Sequence, residues 1–97
     1  MNPTDRDLLI LIGLAEGPKH GYALMQDIDS FADIRLGPGS LYGALARLED
    51  EGLIEALRQQ ERRQPYKLTD AGADALGNEL SAMSDIAETG LSRLSAG

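Results

Sequence analysis

The side chains best suited to chemistry in this sequence are cations and hydroxyls gathered in two stretches. In "RQQERRQPYK", residues 58–67, Arg58, Arg62, Arg63 and Lys67 surround a single acidic residue. Guanidinium forks match pairs of phosphate oxygens and an ammonium meets them as a point charge, so the cluster suits a phosphate backbone. Taken alone, a run of this kind is more often simply solvated. In "LGPGSLYGALARLEDEGLI", residues 36–54, Gly39 and Gly43 let a backbone come close and Ser40 can donate to a phosphate or a base edge. Tyr42 offers a ring and a hydroxyl there, and Arg47 can pair with phosphate or guanine. Bond-making chemistry has no comparable candidates. His20 is the only histidine and stands at the start of a helix, where capping or packing suffices. The chain has no cysteine, no nucleophile motif, no phosphate loop and no metal-ligand spacing, so neither an enzyme nor a cofactor is expected.

A formal net charge of −7 argues at first against a polyanionic partner. Its distribution reverses the argument. Residues 1–34 carry two basic and six acidic groups and residues 68–97 carry one against five. Residues 35–67 hold six basic (Arg35, Arg47, Arg58, Arg62, Arg63 and Lys67) against five acidic. A cationic patch sits inside an acidic molecule, whose remaining surface would stay off a duplex. At 97 residues one domain is expected, and with three tyrosines, one phenylalanine and no tryptophan its core is modest. Some apolar surface should therefore close against a second copy. The lack of cysteine excludes disulfide scaffolds and fits a reducing compartment. The apolar run Leu8–Ile12 follows acidic residues and is broken at Gly13, so neither a signal peptide nor a membrane span is expected and the cytoplasm is the expected location.

The elements that must position these groups follow from caps and breakers. Thr4 is a natural N-cap for a first helix that should stop at Gly17-Pro18. That helix is apolar on more than one side, which suggests that it is wedged between its own core and another surface. "KHGYALMQDIDSF" reads as a second helix, with Tyr22, Met25, Ile28 and Phe31 recurring at threes. "DIRL" has room for a single bridge of strand. Pro38 suits the first position of a third helix ending at Gly52. "LIEALRQQ" and "RRQPYKLT" form a hairpin with its tip near "QQER", and Pro65 suggests an edge. Thr69 should cap a last helix from Asp70 to Leu94, roughly 37 Å long at 1.5 Å per residue. Leu76, Leu80, Met83, Ala87 and Leu94 fall on one stripe of it, with Ile86 and Leu91 beside. The fold class is mostly α with a small β-hairpin: a winged helix-turn-helix over residues 1–68 and a long C-terminal dimerisation helix over 69–97, in one compact unit.

On a wheel at about 100° per residue, Leu41, Ala44, Leu45, Leu48 and Gly52 of the third helix share the core-facing arc. Gly39, Tyr42, Gly43, Ala46 and Asp50 lie opposite, with Ser40 and Arg47 on a flank. Glu49, Asp50 and Glu51 crowd the C-terminal end, so a duplex would be approached by the N-terminal half, where the helix dipole also favours phosphate.

"ILIGLAEGPKHGYALMQDI", "LGPGSLYGALARLEDEGLI" and "YKLTDAG" resemble, in order and spacing, the PadR-like transcriptional regulators, over about residues 8–80. The resemblance implies a winged-helix homodimer that represses transcription by binding an inverted-repeat operator. It implies recognition-helix contacts from Ser40, Tyr42 and Arg47, beside the close approach that Gly39 and Gly43 permit, and wing contacts from Arg62, Arg63 and Lys67. Tyr22 and Tyr66 match family tyrosines, for which a phosphate contact and a core role both stay open. Dimerisation through the last and first helices places Leu9, Ile12, Leu76, Leu80, Met83, Ala87 and Leu94 at the interface. Met83, Ile86 and the first helix can line a cavity between subunits for a small apolar effector, although a stripe at helical spacing more often only packs. Gly37 stands where a Ser or Thr cap is common, and the wing tip lacks a frequent glycine. The rival reading is a winged-helix protein-interaction module that does not bind DNA, because the fold alone does not fix the partner.

Overall fold

The computed structural model describes residues 5–97. In chain order these form α1 (Arg6–Ala15), the two-residue β1 (Lys19–His20), α2 (Gly21–Ala32), α3 (Pro38–Asp50), β2 (Ile54–Ala56), β3 (Pro65–Leu68) and α4 (Asp70–Ala96). Three helices, a small antiparallel sheet in the order β1-β3-β2 and a long closing helix make a winged helix. Thr4 lies outside the described residues. Asp5 caps α1, its Oδ1 accepting from the Asp7 N–H at 2.8 Å.

Why α1 is apolar all round is answered inside the chain. Leu8, Leu9, Ile10 and Leu11 are four consecutive buried residues, followed by Leu14. Only a helix surrounded by its own fold hides every side in this way, and α1 packs against α2, α3, β3 and α4 together. The second surface against which it is wedged therefore includes the chain's own α4. Leu9, assigned from sequence to the dimer interface, is 3% exposed and already consumed by this core.

The core stripe of α2 is Gly21, Leu24 and Ile28, with Met25 beside it. The expectation that Tyr22 and Phe31 share that stripe is corrected: they are 61% and 45% exposed. Nine residues at about 100° each put the two rings on opposite sides of a helix, so a run of threes drifts off any one face. The helix closes at Asp33, which takes the left-handed conformation with φ 55°. The expected strand bridge at Asp33–Leu36 does not form, and Ile34 and Leu36 instead pack on the core from a loop. The third strand is Lys19–His20, read from sequence as helix, and it pairs with Tyr66 and Pro65. Consequently β3 lies in the middle of the sheet. Pro65 is no edge marker but the first residue of a central strand, where its missing N–H is tolerated while its carbonyl accepts from the Leu57 N–H at 2.9 Å.

From Pro38 the α3 helix runs as expected, with Leu41, Ala44, Leu45 and Leu48 buried and no side-chain cap at Gly37. Gly52 takes φ 77° just past its end, a conformation that costs other residues about 1 kcal/mol or more. Thr69 then fastens the end of α3 to the start of α4: its hydroxyl donates to the Gly52 carbonyl at 2.7 Å and accepts from the Gly72 N–H at 3.0 Å. Leu76 reaches the core and Met83 packs at its margin. Every residue of α4 after Met83 is exposed. The radius of gyration, 15.0 Å, exceeds the roughly 12.5 Å of a compact chain of this length because that half-helix projects.

Candidate nucleic-acid interface

The outward face of α3 carries Gly39, Tyr42, Gly43, Ala46 and Asp50, all exposed. No atom would meet a Cβ on Gly39 or Gly43, so that face is open as well as smooth. Tyr42 is 48% exposed because one side of its ring lies on α2. A Cβ at Gly21 would collide with that ring, and the glycine of "HGY" is thus the gap into which Tyr42 folds.

Ser40 and Arg47, on the flank, are tied to the start of α1. Arg6 Nη1 donates to Ser40 Oγ at 2.7 Å. Arg47 Nη1 and Nη2 donate to Asp7 Oδ2 and Oδ1 at 2.5 and 2.8 Å, a bidentate pair. This hydrogen bond, reinforced by the charge of Asp7, pushes the Arg47 guanidinium pKa further up. Arg47 is therefore occupied in the free protein, and a phosphate would have to displace a carboxylate to reach it.

Beside α3, the wing hairpin closes in a two-residue turn. The Gln60 and Arg63 N–H groups each donate to the other residue's carbonyl, at 2.9 and 2.8 Å. Glu61 and Arg62, between them, take φ 47° and 70°, the pattern of a type I′ turn, which Asn-Gly fills best. Lys67 faces Glu55 across the strands, Nζ to Oε1 3.2 Å. Arg63 Nη1 lies 3.2 Å from His20 Nε2. Arg58 and Arg62 are exposed and have no carboxylate partner among the described residues. Tyr22 is open to solvent at the start of α2, whereas Tyr66 is half-buried against the core. Burial first, then the charge of Glu49 and the neighbouring Tyr42, raise the Tyr66 pKa above its ordinary 10.0.

The helix α3, with its solvent-open outward face, thus packs against β2 of a wing whose Arg58 and Arg62 have no carboxylate partner among the described residues, while the acidic excess lies in residues 1–34 and 68–97. The transcriptional regulator PadR-like family model matches residues 10–78. The chain belongs to this family. As a PadR-like regulator it is 47% identical over 83 residues to the 37.1 kDa protein of transposon Tn4556 from Streptomyces fradiae, covering 86% of the chain and 24% of that protein. The chain thus spans about a quarter of that relative. It is 34% identical over 83 residues to the transcriptional regulator Rv3488 of Mycobacterium tuberculosis, covering 82% of the chain and 77% of the relative. Among solved structures it resembles a PadR family transcription regulator from Clostridium difficile R20291, with TM-score 0.79, 27% identity and coverage of 87% and 92%.

Of the apolar residues assigned to a dimer interface, Leu9 and Leu76 are buried in the protomer, while Ile12 and Met83 are half-buried. Leu80, Ala87 and Leu94 are exposed, with Leu94 at 81%. Ile12 also lines an open groove of about 570 Å³ with Ala15, Glu16, Asp27 and Phe31. No described helix is long and apolar enough to cross a membrane. Sequence reasoning missed Arg6, Asp7 and the second contact of His20 in this region. Their partners lie 34, 40 and 43 residues away, and no local pattern marks such pairs.

Proposed function

We propose that this PadR-like regulator is a sequence-specific DNA-binding repressor that occupies an inverted-repeat operator as a homodimer. The observation that carries the reading is the smooth outward face of α3, with Gly39, Tyr42 and Gly43 exposed, beside a wing whose Arg58 and Arg62 meet no carboxylate among the described residues. A helix with that face fits a major groove, and free cations at its side fit the flanking phosphates. Two copies fit the projecting half of α4, where Ile86, Leu91 and Leu94 are 72%, 66% and 81% exposed. A small apolar effector would sit between copies against Ile12, Met83 and Ile86.

Titration with the protein's own promoter fragment and an unrelated duplex, over a range of salt, tests the reading. Affinity for the promoter should be the greater and both should fall steeply with salt. Tyr42→Ala removes the exposed ring and should weaken promoter binding by about 1 to 3 kcal/mol, with less effect on the unrelated duplex. Binding to neither duplex would favour the protein-interaction module.

A further inference from the structure

His20 makes two contacts, through Nδ1 and Nε2, and the nitrogen that carries the proton decides what the second one is. Its Nδ1 accepts from the Ala23 N–H at 3.3 Å as the cap of α2. A nitrogen that accepts carries no proton, so the proton of the neutral ring is on Nε2. That nitrogen lies 3.2 Å from Arg63 Nη1, and a guanidinium only donates. Two N–H donors therefore converge with no acceptor between them. Among the described residues neither meets a carboxylate: Glu61 lines the same groove but bonds to neither, and the nearby Lys19 is engaged by Glu16 and Asp27. The groove, about 470 Å³, is open to solvent and lined by His20, Gln60, Glu61, Arg63 and Pro65.

The backbone holds the two donors together. His20 pairs with Pro65 in the sheet, the Arg63 backbone is fixed by two hydrogen bonds with Gln60, and the cap orients the imidazole ring. Converging donors that lack an acceptor are what an anionic oxygen completes.

We propose that His20 Nε2–H and Arg63 form a two-donor seat for one phosphodiester of the bound duplex, at the joint between α2 and the wing. The inference rests on the DNA-binding reading above and adds a residue and a place to it. His20 then aims Arg63, and the seat contributes affinity without sequence choice, since every phosphate presents the same oxygens.

Nitrogen-15 NMR of the imidazole in the free protein should find the proton on Nε2. A proton on Nδ1 would make the contact an ordinary hydrogen bond from Arg63 and overturn the proposal. Adding duplex should move the Nε2 signal more than inorganic phosphate at equal phosphate concentration does, and the reverse order would overturn the assignment to a strand. His20→Asn retains a good cap but cannot reach the seat. It should melt like the wild type and lose about tenfold in affinity for promoter and unrelated duplexes alike. If both donors serve one oxygen, His20→Asn with Arg63→Ala should lose less than the product of the single losses. Wild-type affinity in His20→Asn sinks the seat while leaving DNA binding intact, whereas a wild-type protein that binds no duplex sinks both.

Discussion

At the residue scale, Arg47 and Asp7 show how a side chain suited to phosphate can be held back. The bidentate pair ties α3 to α1 and gives Arg47 a carboxylate in place of a phosphate. Asp7→Asn keeps the backbone N–H bonded to Asp5 and removes the charge that holds Arg47. Nonspecific duplex should then bind more tightly and the salt slope steepen by up to about 1 unit, as one more cation becomes available. Salt titrations of both proteins on an unrelated duplex check this, and an unchanged slope would leave Arg47 a purely structural tie. Tyr66 carries a pH effect of defined sign. Its folded pKa is raised, so the folded protein keeps the phenol proton where the unfolded chain has lost it. That contribution to stability is fully present below about pH 10 and is lost as pH rises through the folded value. Tyr66→Phe has no such proton, and its melting temperature should fall less steeply than the wild type's above about pH 10.

At the element scale, the wing trades stability for charge. Glu61 and Arg62 adopt left-handed conformations that cost about 1 kcal/mol each for residues with a Cβ, and Asn-Gly suits the same turn. Glu61→Asn with Arg62→Gly should raise stability by about 1 to 2 kcal/mol, which for a domain of this size is roughly 4–8 °C per kcal/mol. The same change removes an unpaired cation, so the salt slope of duplex binding should flatten by about 1 unit. Thermal melting and salt titration of one variant read both effects. A more stable wing with an unaltered slope would place Arg62 away from the phosphates. By contrast α3 keeps its functions on separate faces: Leu41, Leu45 and Leu48 are buried while Gly39, Tyr42 and Gly43 are exposed, so the face that would meet a duplex is not the one that holds the fold.

At the scale of the whole molecule, the principal extents of 56 × 26 × 20 Å describe a compact head with a projecting helix. Few residues of an isolated helix hold their shape in water without tertiary support, and beyond Met83 every residue of α4 is exposed and none joins the core of the described residues. Ile86 and Leu91 lie in that half and touch none of the core, which makes them cleaner probes of a second copy than Leu80 or the core-packed Met83. Ile86→Asp with Leu91→Asp should convert a dimer to a monomer while the head stays folded. Light scattering at micromolar concentration and the melting curve check the two halves of that expectation. A monomeric wild type would remove the dimer from the proposed function.

What the sequence by itself determined is what neighbours along the chain decide. Pro38 and Gly52 bound α3, Thr69 caps α4, and the spacing of Leu41, Leu45 and Leu48 sets which side of α3 faces inward, because each depends on backbone geometry within a few residues. The family motifs are legible for the same reason. Only the tertiary structure decided that α1 is enclosed by its own fold, that Tyr22 and Phe31 face out, and that Lys19–His20 fills the third place in the sheet. It alone brought Arg47 to Asp7 and His20 to Arg63, across 40 and 43 residues. Such pairings depend on the path of the chain between the partners, and a charged residue read in isolation looks equally solvated whether its partner is a phosphate, a carboxylate or water.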